Sequence, residues 1–139
     1  MNKLHLKIRI PLAITALLLA FAVATAQTQS APRRIKFARG ATVAKARGYL
    51  RGVGDEACFV LRAKSGQHMR VEIHGRGPTR GVVVFPSGKQ DGGPGGVIYD
   101  GVIDESGDYK IRVTESSMAE AWRGRFTVTI KILPVGQQP

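Results

Sequence analysis

From Ala57 to His74 the chain reads ACFVLRAKSGQHMRVEIH, and its apolar residues fall on every second position. Ala57, Phe59, Leu61 and Ala63 alternate with Cys58, Val60, Arg62 and Lys64. Beyond Ser65-Gly66, Met69, Val71 and Ile73 alternate with His68, Arg70, Glu72 and His74. Period two places one set of side chains on one face of an extended strand and the other set on the opposite face. Two such strands on either side of a Ser-Gly turn predict a β-hairpin, oily on one side and polar on the other. An oily sheet face needs a second layer to cover it, and the expected solution is an antiparallel β-sandwich.

The same signal recurs along the chain. Arg34 to Phe37 and Thr42 to Leu50 predict strands, the second weakened by Ala44, Ala46 and Gly48. Gly52 to Glu56 and Gly75 to Arg80 predict loops, and the run Gly81 to Phe85, GVVVF, predicts a strand buried on both sides. Gln90 to Gly96, with four glycines and a proline, is expected to be an exposed loop, and Val97 to Ile103 to resume extended structure. After a turn at Asp104 to Asp108, Tyr109, Ile111 and Val113 alternate with polar neighbours. Phe126, Val128, Ile130 and Ile132 do so again in the cleanest period-two stretch. Glu115 to Gly124 is too short for an unpacked helix and predicts a long hairpin loop with one helical turn. The count is seven or eight strands at roughly eight-to-twelve-residue spacing, the pattern of an all-β antiparallel sandwich.

Residues 1–26 stand apart from this pattern. Lys3, Lys7 and Arg9 precede an apolar run from Ile10 to Val23 that ends in Ala24-Thr25-Ala26, the layout of a secretory signal peptide. The expected organisation is a signal peptide over 1–26, a flexible leader over 27–33, one sandwich domain over 34–133 and a flexible tail over 134–139. The exported chain is then expected in the periplasm or outside the cell, with no segment that spans a membrane.

Charge narrows the partners. The full chain has 21 basic and 10 acidic residues. Without the three cations of residues 1–26 it retains 18 against 10, a formal charge of +8. A strongly basic exported protein suits polyanions, acidic lipid or an acidic protein cleft. Nucleic acid is not expected, because the aromatics are spread through strands instead of interleaving with a basic stripe. The single Cys58 has no internal disulfide partner and is expected to be a buried, inert thiol.

No catalytic pattern emerges. His68 and His74 lie six residues apart on one strand, about 20 Å along it, too far to share a metal ion; they read as two solvated histidines. The acids Asp91, Asp100, Asp104, Glu105 and Asp108 lie in turns without a calcium-loop spacing. There is no nucleophile elbow, and Gly92-Gly93-Pro94-Gly95-Gly96 lacks the Lys-Ser/Thr and following helix of a phosphate loop. The expectation is a binding module without cofactor or metal, not an enzyme. Trp122, Arg123 and Arg125, in and beside the longest non-strand segment, have the composition of a protein-contact hot spot. The alternative for Trp122 is a ring folded back to cap the core.

RIKFARGAT, LRAKSGQHMRVEI, SGDYKIRV and MAEAWRGRFTVTIKI follow one another in an order that resembles the bacterial pre-peptidase C-terminal-like sandwich. Within that group the chain is similar to the periplasmic inhibitors of goose-type lysozyme. The resemblance spans Arg34 to Leu133, and its most telling pieces are Ala63-Lys64-Ser65-Gly66-Gln67 and Gly107-Asp108-Tyr109. It implies a jelly-roll-like sandwich whose end loops enter the lysozyme's substrate cleft, with an arginine before the last strand on the acidic lining; Arg123 matches that position. It also implies an aromatic-bearing loop before the third strand, where this chain carries Gly54-Asp55-Glu56 instead. The partner-binding residues expected from all this are Trp122, Arg123, Arg125, Asp55 and Glu56. A second reading, independent of the resemblance, is a cell-envelope or carbohydrate-binding module that holds anionic polymer through Arg62, Lys64, Arg70, Lys110 and Arg112.

Overall fold

Nine strands, β1 (Arg33–Arg34), β2 (Val43–Leu50), β3 (Glu56–Ala63), β4 (His68–Gly75), β5 (Thr79–Val84), β6 (Gln90–Pro94), β7 (Gly96–Val102), β8 (Gly107–Glu115) and β9 (Gly124–Leu133), form two facing sheets in the computed structural model. The structure describes residues 31–116 and 121–137. One sheet has the order β1-β3-β8-β5-β6 and the other β2-β9-β4-β7. Every pairing is antiparallel except β1 with β3. The all-β sandwich expected from the alternation is the observed fold. Among the described residues there is no helix long and apolar enough to cross a membrane.

Alternation builds the core directly. Met69, Val71 and Ile73 of β4 and Phe126, Val128, Ile130 and Ile132 of β9 face inward from one sheet. Phe59 and Leu61 of β3, Tyr109, Ile111 and Val113 of β8, and Val83 of β5 face them from the other. Each such side chain taken fully out of water contributes about 1.5–3 kcal/mol, which is what holds the two layers together. Phe59 and Phe126 meet edge to face across the sandwich, 6.1 Å between ring centroids. The small residues that weaken β2 as a strand have a use here. Gly48 sits opposite Phe126, and a Cβ at Gly48 would lie 2.1 Å from that ring.

Three expectations are corrected. Ala57 to His74 is not a hairpin, because β3 pairs with β1 and β8 whereas β4 pairs with β9 and β7. The Ser65-Gly66 turn carries the chain from one sheet to the other, with Gly66 at φ 85°. Its amide donates to Ile103 O, and Gln67 O accepts from Ile103 N. The segment before β9 is likewise a crossover between sheets, not a hairpin loop, and residues 117–120 within it lie outside the described residues. Finally, Gln90 to Pro94 is a strand, paired with β5 along its length. Its glycines permit the approach: a Cβ on Gly92 would lie 2.2 Å from Gly81 O.

Smaller differences follow. The first strand is two residues, Arg33–Arg34, and ends where Ile35 turns inward. The GVVVF run is buried on one face, with Val83 and Phe85 inward and Val82 and Val84 half-buried on the outer face. The expected signal peptide and the last two residues of the tail lie outside the described residues.

Candidate functional site

The strand register sorts the loops into two groups. Leu50 pairs with Gly124, Gly75 with Phe126, Glu56 with Thr114 and Thr79 with Glu115. Residues 51–55, 76–78, 116 and 121–123 therefore converge at one end of the sandwich. All five expected site residues lie at this end: Asp55 and Glu56 at the start of β3, Trp122 and Arg123 in the crossover, and Arg125 at the start of β9. Arg51 and Arg76, also exposed here, are absent from the sequence-based set. Nothing in the local pattern marks them, since each is an isolated cation in a glycine-containing loop.

Trp122 resolves between its two readings. The ring folds back against the core and is half-buried. It lies over Gly77 so closely that a Cβ there would fall 2.2 Å from the indole, and over Gly124 so that a Cβ would fall 2.5 Å away. Its backbone N–H donates to Glu115 Oε2 at 3.0 Å, bracing the two ends of the crossover. Arg123 and Arg125 follow it and are exposed. The tryptophan is thus the seat that fixes where the loop leaves the sheet, and the guanidinium groups project from that seat.

Asp55 and Glu56 are engaged locally. Asp55 accepts from the backbone N–H of Arg51 at 2.8 Å and of Glu56 at 3.0 Å, closing the 51–55 turn. Glu56 lies on the outer face of the five-stranded sheet, 3.9 Å from Arg112. Two acids in such positions shape the loop and balance charge.

No constellation for turnover forms among these groups. Cys58, expected to be buried, is half-buried; burial, then the neighbouring Glu56 carboxylate, pushes its thiol up from its ordinary value. Among the described residues no three His, Cys, Asp or Glu side chains converge as metal ligands. His74 is solvated, but His68 is not. Its side chain is 13% exposed and its Nε2 lies 3.1 Å from Asp100 Oδ1. Asp100 also meets Arg70.

The cations of the second reading are scattered, with Lys64 in the turn after β3 and the other four divided between the two outer faces. Arg70 lies on the four-stranded sheet and contacts Asp100 and Glu72. Arg62, Lys110 and Arg112 lie on the five-stranded sheet, where Arg112 contacts Glu56 and Gln90. They do not form one surface.

No family model and no curated protein matches the chain in sequence. Solved structures do match. The periplasmic inhibitor of g-type lysozyme from Aeromonas hydrophila superposes with a TM-score of 0.64 at 24% identity, over 73% of this chain and 96% of that one. The corresponding inhibitor from Salmonella Typhimurium gives 0.57 at 17% identity, over 72% and 96%. The pre-peptidase C-terminal domain of a Bacillus anthracis collagenase gives 0.52 at 14%, over 72% and 94%. The fold is the one these proteins share. At such identities the likeness speaks to the sandwich, and the loops have to be judged on their own residues.

Proposed function

We propose that the chain is an exported inhibitor of g-type lysozyme, without catalytic activity of its own, that occupies the enzyme's substrate cleft with the Trp122 end of the sandwich. The observation that carries this reading is the seating of Trp122 on Gly77 and Gly124, with exposed Arg123 and Arg125 directly after it in the chain. A glycosidase cleft holds catalytic carboxylates. A guanidinium pairs with a carboxylate through two parallel hydrogen bonds, and does so best when its backbone is already fixed. Trp122 supplies that fixing, and the closed 51–55 turn holds the neighbouring loop. The fold likeness to inhibitors of this enzyme class supports the choice of partner. Export rests on the signal-peptide pattern of residues 1–26.

The test is lysis of peptidoglycan by a g-type lysozyme with purified protein added. Inhibition is expected to saturate at an equimolar ratio. Arg123→Ala is expected to weaken it by about tenfold or more, the loss typical of a charge-assisted contact at an interface. Trp122→Phe, which keeps an aromatic seat, should retain more inhibition than Trp122→Ala. Undiminished lysis at a large excess of folded protein would overturn the proposal.

A further inference from the structure

On the outer face of the four-stranded sheet, β2, β9 and β4 lie side by side, and their register aligns two rows of side chains. Arg47, Thr127 and His74 form one row across the three strands. Tyr49 and Arg125 begin the next, which Arg76 continues just beyond the end of β4. Between the rows pass the backbones of Gly48, Phe126 and Gly75, whose side-chain positions point inward. The result is a shallow groove floored by main chain and walled by Arg47 and His74 on one side and Arg76 and Arg125 on the other. Two residues along a strand separate the walls by about 7 Å, and three strands give the groove a length of about 10 Å.

Its charge is one-sided. No carboxylate of the described residues lines it. Among the described residues none of its three arginines forms an ion pair, in contrast to Arg34, Arg70 and Arg112. Among the described residues, the one acid that reaches its rim is Glu72, 3.4 Å from His74 Nε2. Three unpaired guanidinium groups around a recess repel one another, a cost that an anion laid between them relieves.

We propose that this groove binds a strand of acidic polysaccharide, its carboxylates held by Arg47, Arg76 and Arg125. Tyr49 selects a sugar chain over other polyanions. It is 51% exposed, sits opposite Arg125 on the same face and offers a flat ring beside the cations, while Thr127 offers a hydroxyl in the opposite wall. A lipid surface would be met by a flat or convex basic face with apolar side chains to insert, whereas these arginines line a recess. Arg76 and Arg125 belong both to this groove and to the end assigned to lysozyme, so Arg47 is the arginine that reports on the groove alone.

The experiment is calorimetric or fluorescence titration of the purified chain with an oligogalacturonate. The same oligomer fully methyl-esterified, polyglutamate and phosphatidylglycerol vesicles serve as comparison arms. Binding of the free acid is expected, weakening as added salt screens the charges, with little for the neutral ester. Arg47→Gln is expected to lower affinity about tenfold, while leaving lysozyme inhibition unchanged if that activity is present. The double variant Arg62→Gln/Lys110→Gln removes more charge from the opposite sheet and is expected to bind like the unaltered chain. Failure to bind the free acid at low salt, equal binding of the ester, preference for vesicles or polyglutamate, or equal losses in the two variants would each overturn the proposal. None of these outcomes depends on whether lysozyme is inhibited.

Discussion

The two ends of the sandwich are built on different terms. At the end formed by residues 64–67, 85–89 and 103–106, side chains bond from one turn to the next. The Tyr109 hydroxyl donates to Glu105 O at 2.6 Å, and its buried ring stacks edge to face on Phe85 at 5.2 Å. Glu105 accepts from both the N–H and the hydroxyl of Ser87, each at 2.7 Å, and Ser106 Oγ accepts from Ser65 N at 2.9 Å. Three turns are thereby tied to one another. At the opposite end fewer bonds run between turns among the described residues: Asp55 bonds to its own turn, Trp122 N–H to Glu115 within the crossover, and Ser116 N–H to Pro78 O in the neighbouring loop. Arg51, Arg76, Arg123 and Arg125 are exposed there. Donors satisfied internally add rigidity and have nothing left to offer a partner, whereas donors held in place but unspent are available for recognition.

This contrast is sharpest if the tied end carries stability and the open end carries binding. Tyr109→Ala should give the largest effect, about 3–5 kcal/mol lost in urea unfolding, because it empties a fully buried aromatic site. Trp122→Ala should cost clearly less; equal costs would erase the distinction between the ends.

Tyr109→Phe keeps the ring and removes the hydrogen bond, for about 1–2 kcal/mol. It also tests a pH effect. Burial, then the nearby Glu105 carboxylate, pushes the phenol up to about 12. The unfolded chain ionises first, so stability is complete below pH 10 and declines as pH rises from about 10 toward about 12. Urea titrations across that range should show a shallower decline for Tyr109→Phe, and an unchanged slope would remove this tyrosine from the account.

At the open end, Gly77→Ala places a methyl group into the indole and must lift Trp122 from its seat. The expected loss is about 1–3 kcal/mol, together with a fall in lysozyme inhibition larger than the unfolded fraction explains. Inhibition that tracks only the folded fraction would mean the seat is structural alone. The smallest effect belongs to Arg34 and Asp108, which pair at 2.9 Å on the surface. The arginine holds the Asp108 carboxyl below its ordinary value through a hydrogen bond. Its contribution is present at neutral pH and lost as pH falls through that lowered value, and added salt should make Asp108→Asn harder to distinguish from the unaltered chain.

Much of the candidate site could be read in advance because it depends on neighbours in sequence. Trp122, Arg123 and Arg125 lie within four residues of one another, and a break between two period-two strands marks them as the entry to the last strand. Arg47 and Arg76 could not be found in this way, since each becomes part of a groove only when β2, β9 and β4 come into register.

Alternation along the chain determined which residues are strands and which side chains face the core, because period two is a property of each strand alone. It did not determine which strands pair. Ala57 to His74 looks like a hairpin from its spacing, yet both arms bury the same oily face equally well when they stand in opposite sheets, and the Gly66 corner, bonded to Ile103, sends them there. Gln90 to Pro94 shows the converse. Its glycines argue against a strand in isolation, and only the close backbone of β5 makes their missing side chains an advantage. Pairing across the sheets is a choice among distant partners of similar hydrophobicity, and the tertiary structure makes it through backbone fit that no local pattern encodes.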